Sequence, residues 1–213
     1  MWQNTYNKPV EVWYFSDVQV DFINGRLGIN KHAIKAVLHM VGQLKILLAL
    51  PGARVIETSW GTIIEIEDRD RIYVIVFQLD EHAATKKKYL TSNEGKYFPY
   101  FHCPTGDSGM ELVDELQPFK KYAYCIVTKP FIFDPITVHA LKDIEDHVGR
   151  IVKIRIFGLL TSMCVLGVAV LARAYFQDAE IVIDAKGTAD TSTLAHGIAL
   201  ETLERNFMTI INR

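Results

Sequence analysis

The sequence predicts an α/β domain: a mostly parallel sheet covered by helices on both faces. Three observations carry this. Apolar runs of strand length alternate along the chain with stretches of helical spacing, without repeats or low-complexity linkers. The segment at residues 71–78, Arg-Ile-Tyr-Val-Ile-Val-Phe-Gln, is apolar almost throughout, as a parallel strand buried on both faces must be. Residues able to do chemistry, Asp17, Asp80, Lys129 and Cys164, follow such runs, and open parallel sheets bind ligands beyond the carboxyl ends of their strands.

Residues 10–15 read as the first strand, ending at Ser16-Asp17. After a polar turn around Asn24-Gly25-Arg26, Ile34, Val37, Leu38, Val41, Leu44 and Leu48 recur at helical spacing until Pro51-Gly52 stops the helix. Residues 54–60 and 62–67 read as two short strands around Gly61, a hairpin or an extension before the central strand at 71–78. From Asp80 to Gly109 the chain is polar and aromatic, too long for a passive connection, and Lys86-Lys87-Lys88 reads as a solvated loop within it. A short helix is expected over 108–116, a strand over 122–128, a helix over 137–147 and a strand over 151–157. A helix bearing Val165, Val168, Leu171, Ala172 and Tyr175 follows, then a last strand at 179–184 and a last helix at 191–207.

With 213 residues, 49% of them hydrophobic, the chain is long enough for a substantial core and is expected to form a single domain over residues 1–213. A formal charge of −2 with scattered basic residues gives no nucleic-acid footprint. Residues 1–8 lack a charged segment leading into an apolar core, and no apolar run reaches membrane length, so a cytoplasmic protein without a membrane partner is expected. Cys103, Cys125 and Cys164 form no CxxC pair, which argues against a disulfide framework or zinc ribbon and for a reducing compartment.

Cys164 lies where the 151–157 strand gives way to a helix that Thr161 or Ser162 can cap. In the first turn of that helix a thiol meets free N–H groups and the positive end of the dipole, which favour a thiolate and an oxyanion. A cysteine packed for its size alone is the competing reading. Asp17 can carry a proton, Lys129 can stabilise a thiolate, and Cys164 can attack a carbonyl. Asp80, His82 and His102 form a second set whose carboxylate and imidazole groups suit zinc, iron or manganese; a pair of solvated loop histidines is the alternative. The other five histidines show no ligand spacing and read as surface or helix residues.

With these residues assembled, the chain resembles the isochorismatase-like cysteine hydrolases, and within them the nicotinamidases. Asp17-Val18-Gln19-Val20-Asp21-Phe22 resembles their first motif, Lys129 after an apolar strand their lysine, and Gly158-Leu159-Leu160-Thr161-Ser162-Met163-Cys164-Val165 the segment around their nucleophile. Asp80-x-His82 resembles the nicotinamidase metal motif, and residues 99–106 the loop that supplies the last histidine. The resemblance implies a three-layer α-β-α sandwich on a mostly parallel, Rossmann-like six-stranded sheet, in a homo-oligomer. It also implies a triad of Asp17, Lys129 and Cys164, an oxyanion hole from the N–H groups of Leu160 and Cys164 beside a cis Leu159–Leu160 bond, and a divalent metal, zinc first, on Asp80, His82 and His102. Phe22 and Phe98, with Tyr97, Tyr100 and Phe101, would wall a flat ring. The implied reaction is hydrolysis of a small amide, nicotinamide first, through a thioester.

Three departures bear on the substrate. Val20 stands where nicotinamidases usually have asparagine, Met163 where some have a polar residue, and residues 129–137 differ from their tyrosine- and serine-containing loop. Another small amide, a ureide or a vinyl ether is the first alternative. A non-catalytic binding or scaffold protein on the same fold is the second.

Overall fold

The computed structural model describes residues 8–29, 31–67 and 69–213. The expectation that residues 1–8 carry no leader therefore falls almost entirely outside the described residues. Strands β1 (Val10–Ser16), β4 (Ile72–Asp80), β5 (Ala123–Lys129), β6 (Ile151–Leu159), β7 (Glu180–Ala189) and β8 (Thr209–Ile211) are mutually parallel. An antiparallel hairpin, β2 (Ala53–Glu57) and β3 (Thr62–Ile66), extends them through the start of β4. The order is β2-β3-β4-β1-β6-β7-β8, with β5 pairing the later part of β4. The sheet thus has eight strands rather than six. The hairpin joins it, and β8, three residues long, is too short to show a period in sequence.

Side chains alternate across the sheet. Trp13, Phe15, Ile75, Phe77 and Phe157 point into one core, beneath α2 (Lys31–Leu48) and the 103–119 segment. Val12, Tyr14, Val74, Val76, Ile154 and Ile156 point into the other, beneath α5 (Ile136–His147), α6 (Leu166–Tyr175) and α7 (Thr193–Arg205). Helix α2 buries Ala33, Ala36, Val37, Met40, Leu44 and Leu47. Ile34 and Leu38, which fall within the helical spacing read from the sequence, are exposed, and Ala33 and Ala36 supply part of the buried face instead.

The stretch from Asp80 to Gly109 holds two short helices, α3 (Lys86–Thr91) and α4 (Asn93–Tyr97), capped by Thr85 and Ser92. The Lys86–Lys88 triplet is solvated as expected, on the first turn of α3 instead of in a loop. The helix expected over 108–116 is a single 3₁₀ turn, Ser108–Met110. A further short helix, α1 (Val20–Ile23), follows β1 directly. Among the described residues no helix is long and apolar enough to cross a membrane.

Candidate active site and metal centre

Four adjacent strands end at one point on the carboxyl edge. In spatial order β5, β4, β1 and β6 deliver Lys129, Asp80, Asp17 and the turn bearing Cys164. Asp80 pairs with Lys129 in register. Asp17 follows β1 at a φ of 54°, a left-handed conformation that aspartate tolerates better than most residues. Its N–H still donates to the Gln78 carbonyl at 2.8 Å, so the carboxyl turns inward without leaving the sheet. Gly158 allows β6 to come this close: a β-carbon there would lie 2.0 Å from the Ser16 carbonyl oxygen.

Lys129 is wholly buried. Its ammonium meets Asp17 Oδ2 at 3.0 Å, pairs with Asp80 Oδ1, and lies 3.7 Å from Cys164 Sγ. Carboxylate oxygens of Asp17 and Asp80 and the Cys164 sulfur all lie within 4.8 Å of one another. Burial and the neighbouring Asp80 charge push the Asp17 carboxyl up to about 7. Burial acts on Asp80 the same way, but Lys129 and the imidazoles outweigh it and hold that carboxyl below the usual range. Burial also opposes the charge on Lys129, yet Asp17 and Asp80 keep it an ammonium.

Burial, reinforced by Asp17, raises the Cys164 thiol well above its ordinary value. This corrects the expectation of a thiolate stabilised by a helix start. Cys164 sits in a π turn, Thr161–Val165, ahead of α6, and neither Thr161 nor Ser162 caps it with its side chain. Thr161 Oγ1 meets His196 Nδ1 at 2.8 Å instead, and the Ser162 backbone N–H at the start of the turn donates to Asp190 Oδ2 at 2.7 Å. Leu160 precedes the turn, is joined to Leu159 by a cis bond, and accepts from the N–H groups of Met163 and Val165.

Asp80 belongs to both clusters. While Oδ1 faces Lys129, Oδ2 lies 3.6 Å from His102 Nε2 and 4.0 Å from His82 Nε2, and the two imidazole nitrogens are 3.1 Å apart. His102 Nδ1 lies 2.6 Å from the Tyr100 carbonyl oxygen, a contact that puts its proton on Nδ1 and leaves the Nε2 lone pair facing the centre. Both histidines are buried, so they are not solvated loop residues. Glu94 completes the group, with Oε1 at 3.2 Å from His82 Nε2 and 3.8 Å from His102 Nε2, and Oε2 buried without a partner. Two imidazoles and two carboxylates converging in a buried space are a donor set that fits a divalent cation. Sequence reading passed over Glu94, whose only local signal is the Ser92 cap that starts its helix.

Phe22 and Phe98 meet the His102 ring edge-on at 5.4 Å and 5.6 Å. Phe101 packs against Tyr89 instead, and Tyr100 is exposed, so neither walls the centre as expected. Tyr97, Phe98, Phe131, Ile132 and Met163 line a cleft of about 550 Å³ with Glu94 at its edge. The other five histidines all lie on helices, as expected; two of them also reach inward, His196 to the Cys164 turn and His39 to the buried Asp184.

A family model described as the Isochorismatase domain matches residues 15–213. The chain belongs to the isochorismatase family. No curated protein matches it in sequence. Among solved structures, the family chain is similar to a nicotinamidase from Bacillus subtilis at 20% identity and a TM-score of 0.67, covering 95% of this chain and 99% of that one. It is similar to a pyrazinamidase from Pyrococcus horikoshii in complex with zinc at 17% identity and a TM-score of 0.67, covering 96% and 100%. It is also similar to an N-carbamoylsarcosine amidase from Thermoplasma acidophilum at 19% identity and a TM-score of 0.57, covering 95% of each chain. At these identities the likeness is one of fold.

Proposed function

We propose that this isochorismatase-family chain is a single-domain, cytoplasmic cysteine amidohydrolase that releases ammonia from a small carboxamide, nicotinamide first, and works as a homo-oligomer. The observation that carries this reading is Lys129, a buried cation in contact with Asp17 and Asp80 and 3.7 Å from a buried thiol. A scaffold protein gains nothing from keeping such a cluster, since buried charges, even paired, are commonly no more stabilising than apolar packing in their place.

In this mechanism Cys164 Sγ attacks the carboxamide carbon while its proton passes to Asp17, which suits the task with a carboxyl near 7. Lys129 offsets the negative charge that appears on sulfur. The N–H groups of Leu160 and Cys164 hold the oxyanion. Asp17 returns the proton to the departing amine, so ammonia leaves and a thioester remains. Water attacks the thioester, the acid departs, and the thiol is restored. Asp80, His82, His102 and Glu94 would hold the divalent metal, zinc first, with iron or manganese as alternatives. When bound it supplies a Lewis acid that anchors the substrate's ring nitrogen. Phe22 and Phe98 give the ring an apolar edge.

The test is ammonia release from nicotinamide by the purified protein, with bound metal quantified in the same sample and Cys164→Ala run beside it. Ammonia with near-stoichiometric metal, and none from a folded Cys164→Ala, supports the reading. Undiminished ammonia release by Cys164→Ala overturns the mechanism. Metal without ammonia moves the substrate to other amides, ureides or vinyl ethers.

A further inference from the structure

The first motif contains two polar residues besides Asp17, and both are buried. Gln19 has no exposed surface, and its carboxamide bonds both backbone polar groups of Asp80. Its Nε2 donates to the Asp80 carbonyl at 2.8 Å, and its Oε1 accepts from the Asp80 N–H at 2.7 Å. The same nitrogen donates to the Met110 carbonyl at 2.7 Å, tying β4 to the 108–110 turn.

Asp21 acts on the other side of the centre. Its Oδ2 accepts from the N–H of Cys103 at 2.7 Å, and Arg26 holds the carboxylate through its backbone and guanidinium at 3.1 and 2.7 Å. The carbonyl of Cys103 in turn accepts from the His82 N–H at 2.9 Å, and the His82 carbonyl accepts from the Thr105 N–H at 2.9 Å. Cys103 itself is held at a φ of 41°, a conformation a non-glycine residue keeps only when bonds on both sides impose it. Both peptide groups flanking Cys103, directly after His102, are thus fixed, the preceding one to Asp21 and the following one to His82. Gly109 lets the chain close over this carboxylate: a β-carbon there would lie 2.4 to 2.5 Å from the Asp21 carboxyl atoms.

We infer that Gln19 and Asp21 are positioning residues of the metal centre, Gln19 setting Asp80 and Asp21 setting His102 and His82 through the Cys103 backbone. The inference rests on the reading that these ligands hold a metal. Ligand carboxylates and imidazoles bind tightly only if their backbones arrive already placed, and outer partners of this kind typically govern affinity by about 10–100-fold. One six-residue motif would then serve both centres, contributing Asp17 to the lysine cluster and the frame of the metal ligands through Gln19 and Asp21.

The experiment measures zinc affinity of the full chain, stripped by chelator, in competition with a chromophoric chelator. It is run with Gln19→Leu, Asp21→Asn and, as a stability control, Met40→Ala from α2. Cobalt(II) spectra of each report ligand geometry. The expected result is a zinc affinity about 10–100-fold weaker in Gln19→Leu and Asp21→Asn, with altered cobalt bands. Met40→Ala should melt lower but keep the affinity and spectrum of the unaltered chain. Should Gln19→Leu fail to fold, Gln19→Glu, which keeps the acceptor for the Asp80 N–H, takes its place. Folded Gln19 and Asp21 variants with unaltered zinc affinity and cobalt bands would overturn the inference. An unaltered chain that takes up neither zinc, iron(II) nor manganese would instead remove the metal reading beneath it.

Discussion

The carboxylates of Asp17 and Asp80 flank the same ammonium, both hidden from solvent, yet they ionise in opposite directions. Asp17 has Lys129 as its one cation and Asp80 as a repelling neighbour, and is pushed up to about 7. Asp80 touches Lys129 with one oxygen and faces two imidazoles with the other, and is held low. Burial is equal for the two, so the difference comes from the surrounding charges. It assigns distinct work: a carboxyl that exchanges its proton near neutrality suits proton transfer, and one that stays an anion suits a lysine and a metal together. The cost is dependence, since Asp80 cannot be altered without disturbing both clusters.

Exchanging each carboxylate for its amide tests that asymmetry most severely. Asp80→Asn should abolish metal uptake and destabilise the fold by on the order of 3 kcal/mol, because a buried pair loses a charge; metal analysis and denaturant melts measure both. Asp17→Asn should cut amide turnover by about 10²–10⁴-fold while leaving metal content unchanged. If Asp17→Asn lost the metal as well, the division of labour would be wrong.

The pH profile sharpens the same point. Below about 7, Asp17 carries a proton and cannot accept another from the thiol, so kcat/KM should fall with decreasing pH, by about tenfold per unit well below that value. A profile flat down to pH 5 would mean that a different group accepts the proton. The smallest effect belongs to Glu94→Gln, which keeps a carbonyl oxygen at the centre but removes its charge. Metal affinity should weaken by about tenfold, with turnover restored at saturating metal. Equilibrium dialysis and a metal-dependence curve read the two separately.

Apolar strands ending in Asp17, Asp80 and Lys129 are local patterns, which is why the parallel sheet and its chemical edge were legible before any coordinates. The buried group of Asp80, His82 and His102 was legible for a different reason, its likeness to a known metal motif. Glu94 was not legible, because a glutamate on a five-residue helix looks solvated until the chain folds that helix over the histidines. The turn around Cys164 misled for a related reason. Thr161 and Ser162 are good caps by composition, but His196 engages the Thr161 hydroxyl, and Asp190, from a distant segment, accepts from the Ser162 backbone N–H at the start of the turn.

Periodicity and turn chemistry act over a few residues, and were enough for the α/β class, the order of the longer strands and helices, and the side chains that stand at strand ends. Long-range packing alone sets β5, β4, β1 and β6 side by side and lets Gln19 and Asp21 grip residues 61 and 82 positions away. It also shifts two similar carboxyls in opposite directions. Those outcomes depend on distances between remote segments and on desolvation, quantities that come into being only when the chain closes on itself.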